Sequence, residues 1–245
     1  MIPSIVVYAG LLTAAIGFLS LLKPIRRLGV TSRRRAAMVF FSGAAGALIG
    51  AELPASVVAS PTTSSALDSL LPRYQFNEVH STDVRASPES TYSAIRKVTA
   101  REIRLFRILT WIRSPHLGSS RESILNPAKD DPIIDVATRT GFLMLADEPP
   151  REIAFGTVFG ARLAVTHPTA DDFRMLDRPG YAKIAMNFLV IPAADGSSHL
   201  RTETRIYATD GAALRRFAPY WRLIYPGSSI IRRMWLRAIR ALAER

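Results

Sequence analysis

The sequence predicts an α+β protein: one basic domain of antiparallel strands closed by a long C-terminal helix, carried behind a pair of transmembrane helices. Three observations point there. Two long uncharged runs flank an arginine cluster near the N-terminus, several later segments alternate with the period of strands, and the last segment carries an apolar stripe with the period of a helix.

Composition sets the outer bounds. The chain has 245 residues, enough for one medium domain plus an appendage, and its 48% hydrophobic content is concentrated in the first fifth. It has no cysteine, which excludes disulfides, thiolate metal sites and cysteine nucleophiles. The net charge of +12 comes almost wholly from arginine, whose planar fork suits phosphate and carboxylate partners.

Ile5 to Leu22 carries no charge, and with Ile2 the run reaches about the 20 residues that cross a bilayer as a helix. Lys23, Arg26, Arg27, Arg33, Arg34 and Arg35 follow, broken by Pro24 and Gly29. A second uncharged run covers Ala36 to Ala51 and must borrow from Glu52 onward to span. The expected hairpin therefore occupies residues 1–54, with spans at about 2–22 and 36–54. Its basic loop, 23–35, is placed in the cytoplasm by the positive-inside rule, which puts the remaining domain outside the inner membrane. Gly10 with Ala14, and Ser42 with Gly46 and Gly50, supply small residues for close helix approach. A rival reading is a secretory signal, with Arg33–Arg35 as its basic part, Ala36–Ala51 as its apolar part and Val57-Val58-Ala59 as a cleavage site.

Residues 55–72 read as a Ser/Thr/Pro linker and 73–245 as the domain. Tyr74–Arg85 alternates as a strand, and Ser87-Pro88-Glu89 supplies an N-cap with proline at the first helical position, opening a helix to about Val98. Thr99–Ile112 reads as a second helix and Ser114–Pro132 as a long loop. Strands are expected at Ile133–Thr138, Gly141–Asp147, Ile153–Gly160, Tyr181–Ile191 and His199–Thr209, the last two as a hairpin, with a short helix at Thr169–Leu176. A closing helix follows Asp210-Gly211, interrupted at Pro226-Gly227-Ser228.

Phe76-Asn77-Glu78-Val79-His80-Ser81, the Ala86-Ser87-Pro88-Glu89 helix entry and the Thr202-Glu203-Thr204-Arg205 strand ahead of Phe217 and Tyr220-Trp221, taken with the element order, resemble the START-like or polyketide cyclase superfamily over about residues 73–245. That resemblance implies a helix-grip fold, a curved sheet wrapped around the last helix, and an apolar cavity for lipids or other greasy ligands. It brings no diagnostic catalytic motif, and a shared fold says little about reaction. The whole arrangement also looks like uncharacterised membrane-anchored bacterial members of that superfamily.

No glycine-rich nucleotide loop, zinc-protease motif or nucleophile elbow is present. His167 with Asp171 and Asp172, and Asp130 with Asp131 and Asp135, read as solvated turns and caps, so no metal and no cofactor is expected. If Val84 faces the core, alternation places Thr82, His80, Glu78 and Phe76 on the same face, and a buried Glu–His pair there is a place for acid–base chemistry or for a ligand's polar head. Thr202 and Thr204 share a face with Leu200 and Ile206, while Arg201, Glu203, Arg205 and Tyr207 share the other, where cross-strand ion pairing accounts for the charges. Phe106, Trp111, Phe142, Phe155, Phe188, Phe217, Trp221 and Tyr225 are the expected cavity or core aromatics. Arg232, Arg233, Arg237 and Arg240 are expected on the side of the last helix opposite its apolar stripe, against an anionic membrane surface.

The functional expectation is a membrane-anchored, non-enzymatic binder of a hydrophobic or lipid-like molecule, with the bilayer and anionic headgroups as partners and no nucleic acid. A cyclase- or hydratase-like enzyme using Glu78 and His80, or a basic envelope interaction module, are the alternatives.

Overall fold

A computed structural model describes residues 2–60, 64–104, 106, 108, 110, 123–124, 126–127, 130–160 and 168–245, the first two of these in backbone only. Trp111 and His167 fall outside the described residues, as does most of the loop Ser114–Pro132; of the expected helix at Thr99–Ile112, residues 100–104 form turns and a bend, while Phe106, Ile108 and Thr110 are helical. The chain divides into two compact units, 1–56 with 214–223 and 57–213 with 224–245.

In the first unit, α1 (Ile2–Leu22) and α2 (Arg33–Glu52) are joined by a 3₁₀ turn at Arg26–Leu28. Ser32 caps α2, its hydroxyl accepting from the Arg35 amide at 3.3 Å. The helices pack antiparallel and very closely. A Cβ at Gly10 would collide with the backbone nitrogen of Ala47, and one at Gly43 with that of Ala14. Glycine is required at both points because backbone meets backbone. The contact row on α2 is Gly43, Ala47 and Gly50 rather than the expected Ser42, Gly46 and Gly50: a Cβ at Gly46 would meet nothing nearer than the Gly10 Cα, at 3.9 Å, so the interface follows alternating steps of four and three. Large apolar side chains such as Ile5, Leu12, Leu22, Phe41, Leu48 and Ile49 point outward. Among the described residues α1 alone is long and apolar enough to cross a bilayer, over Ser4–Leu22.

The second unit is built on a five-stranded antiparallel sheet in the order β3-β7-β6-β5-β4. Its strands are β3 (Phe76–Val84), β4 (Leu143–Glu148), β5 (Glu152–Phe159), β6 (Ala182–Pro192) and β7 (Ser198–Ala208), with a separate two-stranded ribbon of β1 (Val58–Ala59) and β2 (Arg73–Tyr74). The expected β6–β7 hairpin is present, its turn closed by the Ala193 amide donating to the Ser197 carbonyl at 2.9 Å.

One sheet face is covered by α4 (Pro88–Lys97), α5 (Ile133–Arg139) and the second part of the last helix, α7 (Gly211–Ala243). Val84, Phe155, Phe188, Leu200, Trp235 and Ile239 pack there, with the Phe188 and Trp235 rings 5.0 Å apart edge to face. The other face is covered by α3 (Ala66–Leu70) and α6 (Ala170–Met175), which contribute Leu67, Leu70, Leu71 and Phe173.

Three expectations are corrected. Ile133–Arg139 is helical, not a strand: Ile133, Ile134, Val136 and Ala137 are buried at helical spacing, and β-branched composition hid that period. Residues 64–72 are not a free linker but contain α3, announced by a Ser65/Asp68 capping box and by Leu67, Leu70 and Leu71. Finally, α7 runs without interruption through Pro226. Proline there lacks the N–H that would bond the Arg222 carbonyl four residues back, and the Tyr8 hydroxyl donates to that carbonyl instead, at 2.7 Å.

Candidate functional site

Strand alternation places Phe76, Glu78, His80, Thr82 and Val84 on the helix-covered face, and the burial pattern of β3 follows that alternation. Glu78 is 2% exposed and its Oε1 lies 2.9 Å from His80 Nε2. The Ser228 hydroxyl donates to Glu78 Oε2 at 2.8 Å, and the Ser229 hydroxyl lies 3.3 Å from the same His80 Nε2. Both serines follow Pro226-Gly227 within α7. Burial and then the nearby Glu78 carboxylate hold the Tyr225 phenol above its ordinary pKa.

The next row of the sheet continues the polar character. Glu78 pairs with Thr204 on β7, and Thr204 with Met186 on β6. Over this row α7 lays Arg232, whose Nη2 donates to Met186 Sδ at 2.8 Å and whose guanidinium lies 5.5 Å from the centre of the Trp235 ring. Thr204 Oγ1 and Trp235 Nε1, on residues 3% and 2% exposed, have no hydrogen-bond partner among the described residues. An unsatisfied buried hydroxyl or indole N–H costs about 1–3 kcal/mol. A polar group reaching either atom would recover that cost.

This geometry does not make a serine-hydrolase triad. In a triad the carboxylate and the nucleophile occupy opposite ring nitrogens, so that one orients while the other yields its proton. Here Glu78 and Ser229 both approach Nε2. The cluster is a hydrogen-bonded set of one carboxylate, one imidazole and two hydroxyls.

The other predicted residues distribute as follows. Phe106, Phe155 and Phe188 are buried in the apolar core, and the Phe142 ring packs edge to face on Phe155 at 5.8 Å. Thr202 is buried and donates to the Asn187 carbonyl at 2.7 Å. Phe217 and Trp221 group with α1 and α2 in the first unit rather than with the sheet. The four arginines do not share a face. Arg232 is buried, Arg233 and Arg237 are exposed, and Arg240 is held by Glu244 at 3.0 Å, because successive helix positions turn by about 100°. Ser228, Ser229, Met186 and Trp235 are site residues that sequence reasoning missed as such. The helical spacing from Tyr225 through Ser228 and Arg232 to Trp235 was the available signal, masked by reading Pro226-Gly227-Ser228 as a helix break.

On the opposite face lies a second buried polar cluster. Arg205 donates to Glu203 Oε1 and to Asp68 Oδ1, both at 2.7 Å, and Arg201 donates to Glu203 Oε2 at 2.7 Å. The charged face of β7 therefore pairs along its own strand and with α3, not across strands as expected. Glu152 accepts from Asn187 at 2.6 Å, the Ser65 hydroxyl at 3.1 Å and the Ala66 amide at 2.9 Å. Burial pushes the Asp68 carboxyl upward, but hydrogen bonds from Ser60, Arg205 and the Ser65 backbone, with the charge of Arg205, hold it below its usual value.

Asp130, Asp131 and Asp135 form ion pairs with Arg101, Arg139 and Arg96, while Asp171 pairs with Arg174 and Asp172 caps α6. No group of three possible metal ligands occurs among the described residues.

No protein family profile matches this chain, and no curated protein does. Two solved structures, both structural-genomics targets, are similar to it. A Mesorhizobium loti protein is 18% identical, over 68% of this chain and 96% of its own length, with a TM-score of 0.34. A Nitrosospira multiformis protein is 13% identical, over 68% and 94%, with a TM-score of 0.30.

Proposed function

We propose that this chain is a membrane-anchored, non-enzymatic binder of a hydrophobic or lipid-like ligand, seated between α7 and the sheet with its polar end on the Glu78–His80–Ser228 cluster. The carrying observation is the pair of buried, unpartnered atoms on this face, Thr204 Oγ1 opposite Glu78 in the sheet register and Trp235 Nε1 on the ring that packs against Phe188. A ligand with a hydrogen-bond acceptor at one end and hydrocarbon at the other satisfies those donors and matches the aromatic surroundings. The long last helix across an antiparallel sheet supports a helix-grip, START-like architecture. The outward apolar side chains of α1 and α2 support a transmembrane hairpin, with residues 23–35 cytoplasmic and the sheet unit outside the inner membrane.

Native mass spectrometry of the full chain in detergent tests this. The full chain is needed because residues 214–223 group with α1 and α2. A stoichiometric apolar adduct that is released on denaturation is expected. A spectrum at the bare 27.0 kDa chain mass, under conditions that preserve a control lipid carrier's load, would overturn it.

A further inference from the structure

The free side of β3 and the second part of α7 border a groove of about 450 Å³, with Val79 and Leu236 as its apolar walls and His80, Thr82, Arg233 and Arg237 among its polar ones. We propose that this groove receives the phosphate of a membrane-lipid headgroup.

Charge is the first argument. Arg233 and Arg237 stand one helical turn apart on the exposed face of α7, and among the described residues neither has a carboxylate partner. Arg240, the next arginine along the helix, is by contrast held by Glu244. Two unmatched guanidinium forks at i and i+4 form a bidentate phosphate receptor. The open edge of β3, the last strand of the sheet order, adds neutral donors.

Size and surface chemistry are the second argument. The groove is in the range of small-molecule sites and far larger than a bare phosphate requires. Val79, 42% exposed, and Leu236 suit the glycerol and first carbons of a lipid, and offer nothing to an inorganic ion. The choice of lipid over a soluble phosphate rests on the membrane reading above. The groove shares only His80 with the buried cluster.

The test uses the full chain in neutral detergent, titrated with dioctanoyl phosphatidic acid, dioctanoyl phosphatidylcholine or inorganic phosphate, with Kd read by thermophoresis. Phosphatidic acid is expected to bind saturably and at least about tenfold more tightly than either of the others. Arg233→Gln with Arg237→Gln is expected to weaken it about tenfold or more, and the corresponding double lysine variant by less, since point charges remain while the forks are lost. Thr82→Glu, which sets a carboxylate in the groove from the strand side, is expected to abolish binding even if the glutamine pair fails to fold. Unchanged affinity in the glutamine pair or in Thr82→Glu overturns the proposal, as does equal binding of the two lipids or equal binding of inorganic phosphate. An empty native mass spectrum beside intact phosphatidic acid binding would sink the buried-ligand reading and leave this one standing.

Discussion

The two faces of the sheet bury comparable polar loads and treat them differently. Under α3, the carboxylates of Asp68, Glu203 and Glu152 all meet donors at hydrogen-bond distance, and Arg205 meets two of those carboxylates. Under α7, Glu78 is paired, but Thr204 Oγ1 and Trp235 Nε1 remain without partners among the described residues. A closed network holds a strap of chain on the sheet, whereas an incomplete one leaves bonding capacity for something else. On the proposed reading, the difference separates a structural use of buried charge from a ligand-binding one.

The largest expected effect breaks the closed face. Arg205→Met leaves Asp68 and Glu203 without their shared cation and should destabilise the sheet unit by about 3–5 kcal/mol, read as a lower urea midpoint. Glu78→Gln on the other face keeps the shape but loses a charge-assisted acceptor, so about 1–2 kcal/mol is expected in the same assay, together with reduced ligand retention.

Acid should discriminate the faces as well. Because the folded Asp68 carboxyl lies below the ordinary 3.8, its contribution is fully present above that value and is lost as pH falls through the lower folded pKa. Asp68→Asn should flatten that part of an acid denaturation curve. At alkaline pH Lys183 acts in the same direction. Burial, with Arg73 nearby and Asp177 opposing, brings it down from 10.5 to about 8. Between those values the unfolded chain holds a proton that the folded one has released, so stability should rise with pH, and Lys183→Met should remove the rise.

The smallest stability effect is the most telling. Thr204→Val deletes a hydroxyl that bonds to no described group at nearly constant side-chain volume, so it should leave the melting temperature of the ligand-stripped protein unchanged or raise it by a few degrees. It should also lower the amount of co-purified ligand. A large loss of stability with unchanged ligand would make the two faces alike.

The sheet was largely readable beforehand, since four of its strands lie within two residues of the expected ranges and β3 sits inside its predicted segment. Alternation also brought Glu78 and His80 to one face, because a two-residue period needs no knowledge of partners. Their serine partners were hidden because Pro226 reads as a break, and only the Tyr8 hydroxyl, more than two hundred residues away, shows why the helix continues. α3 was hidden for a similar reason: one turn of helix has too little period to stand out from a polar stretch, and its worth lies in contacts with Glu152 and Arg205.

Arg222 carries a consequence for the order of assembly. Its guanidinium donates to the carbonyls of Gly50 at 3.1 Å, of Ala51, and of Leu53 at 2.6 Å, covering the otherwise unmet end of α2. The group that finishes the N-terminal helices is thus synthesised only after the whole sheet has emerged. During translation the helical pair must persist with a bare end until Arg222 is made, just ahead of the part of α7 that closes on the sheet. A truncation before residue 214 should therefore leave a helical pair that is made, but is recognised by quality-control proteases as unfinished.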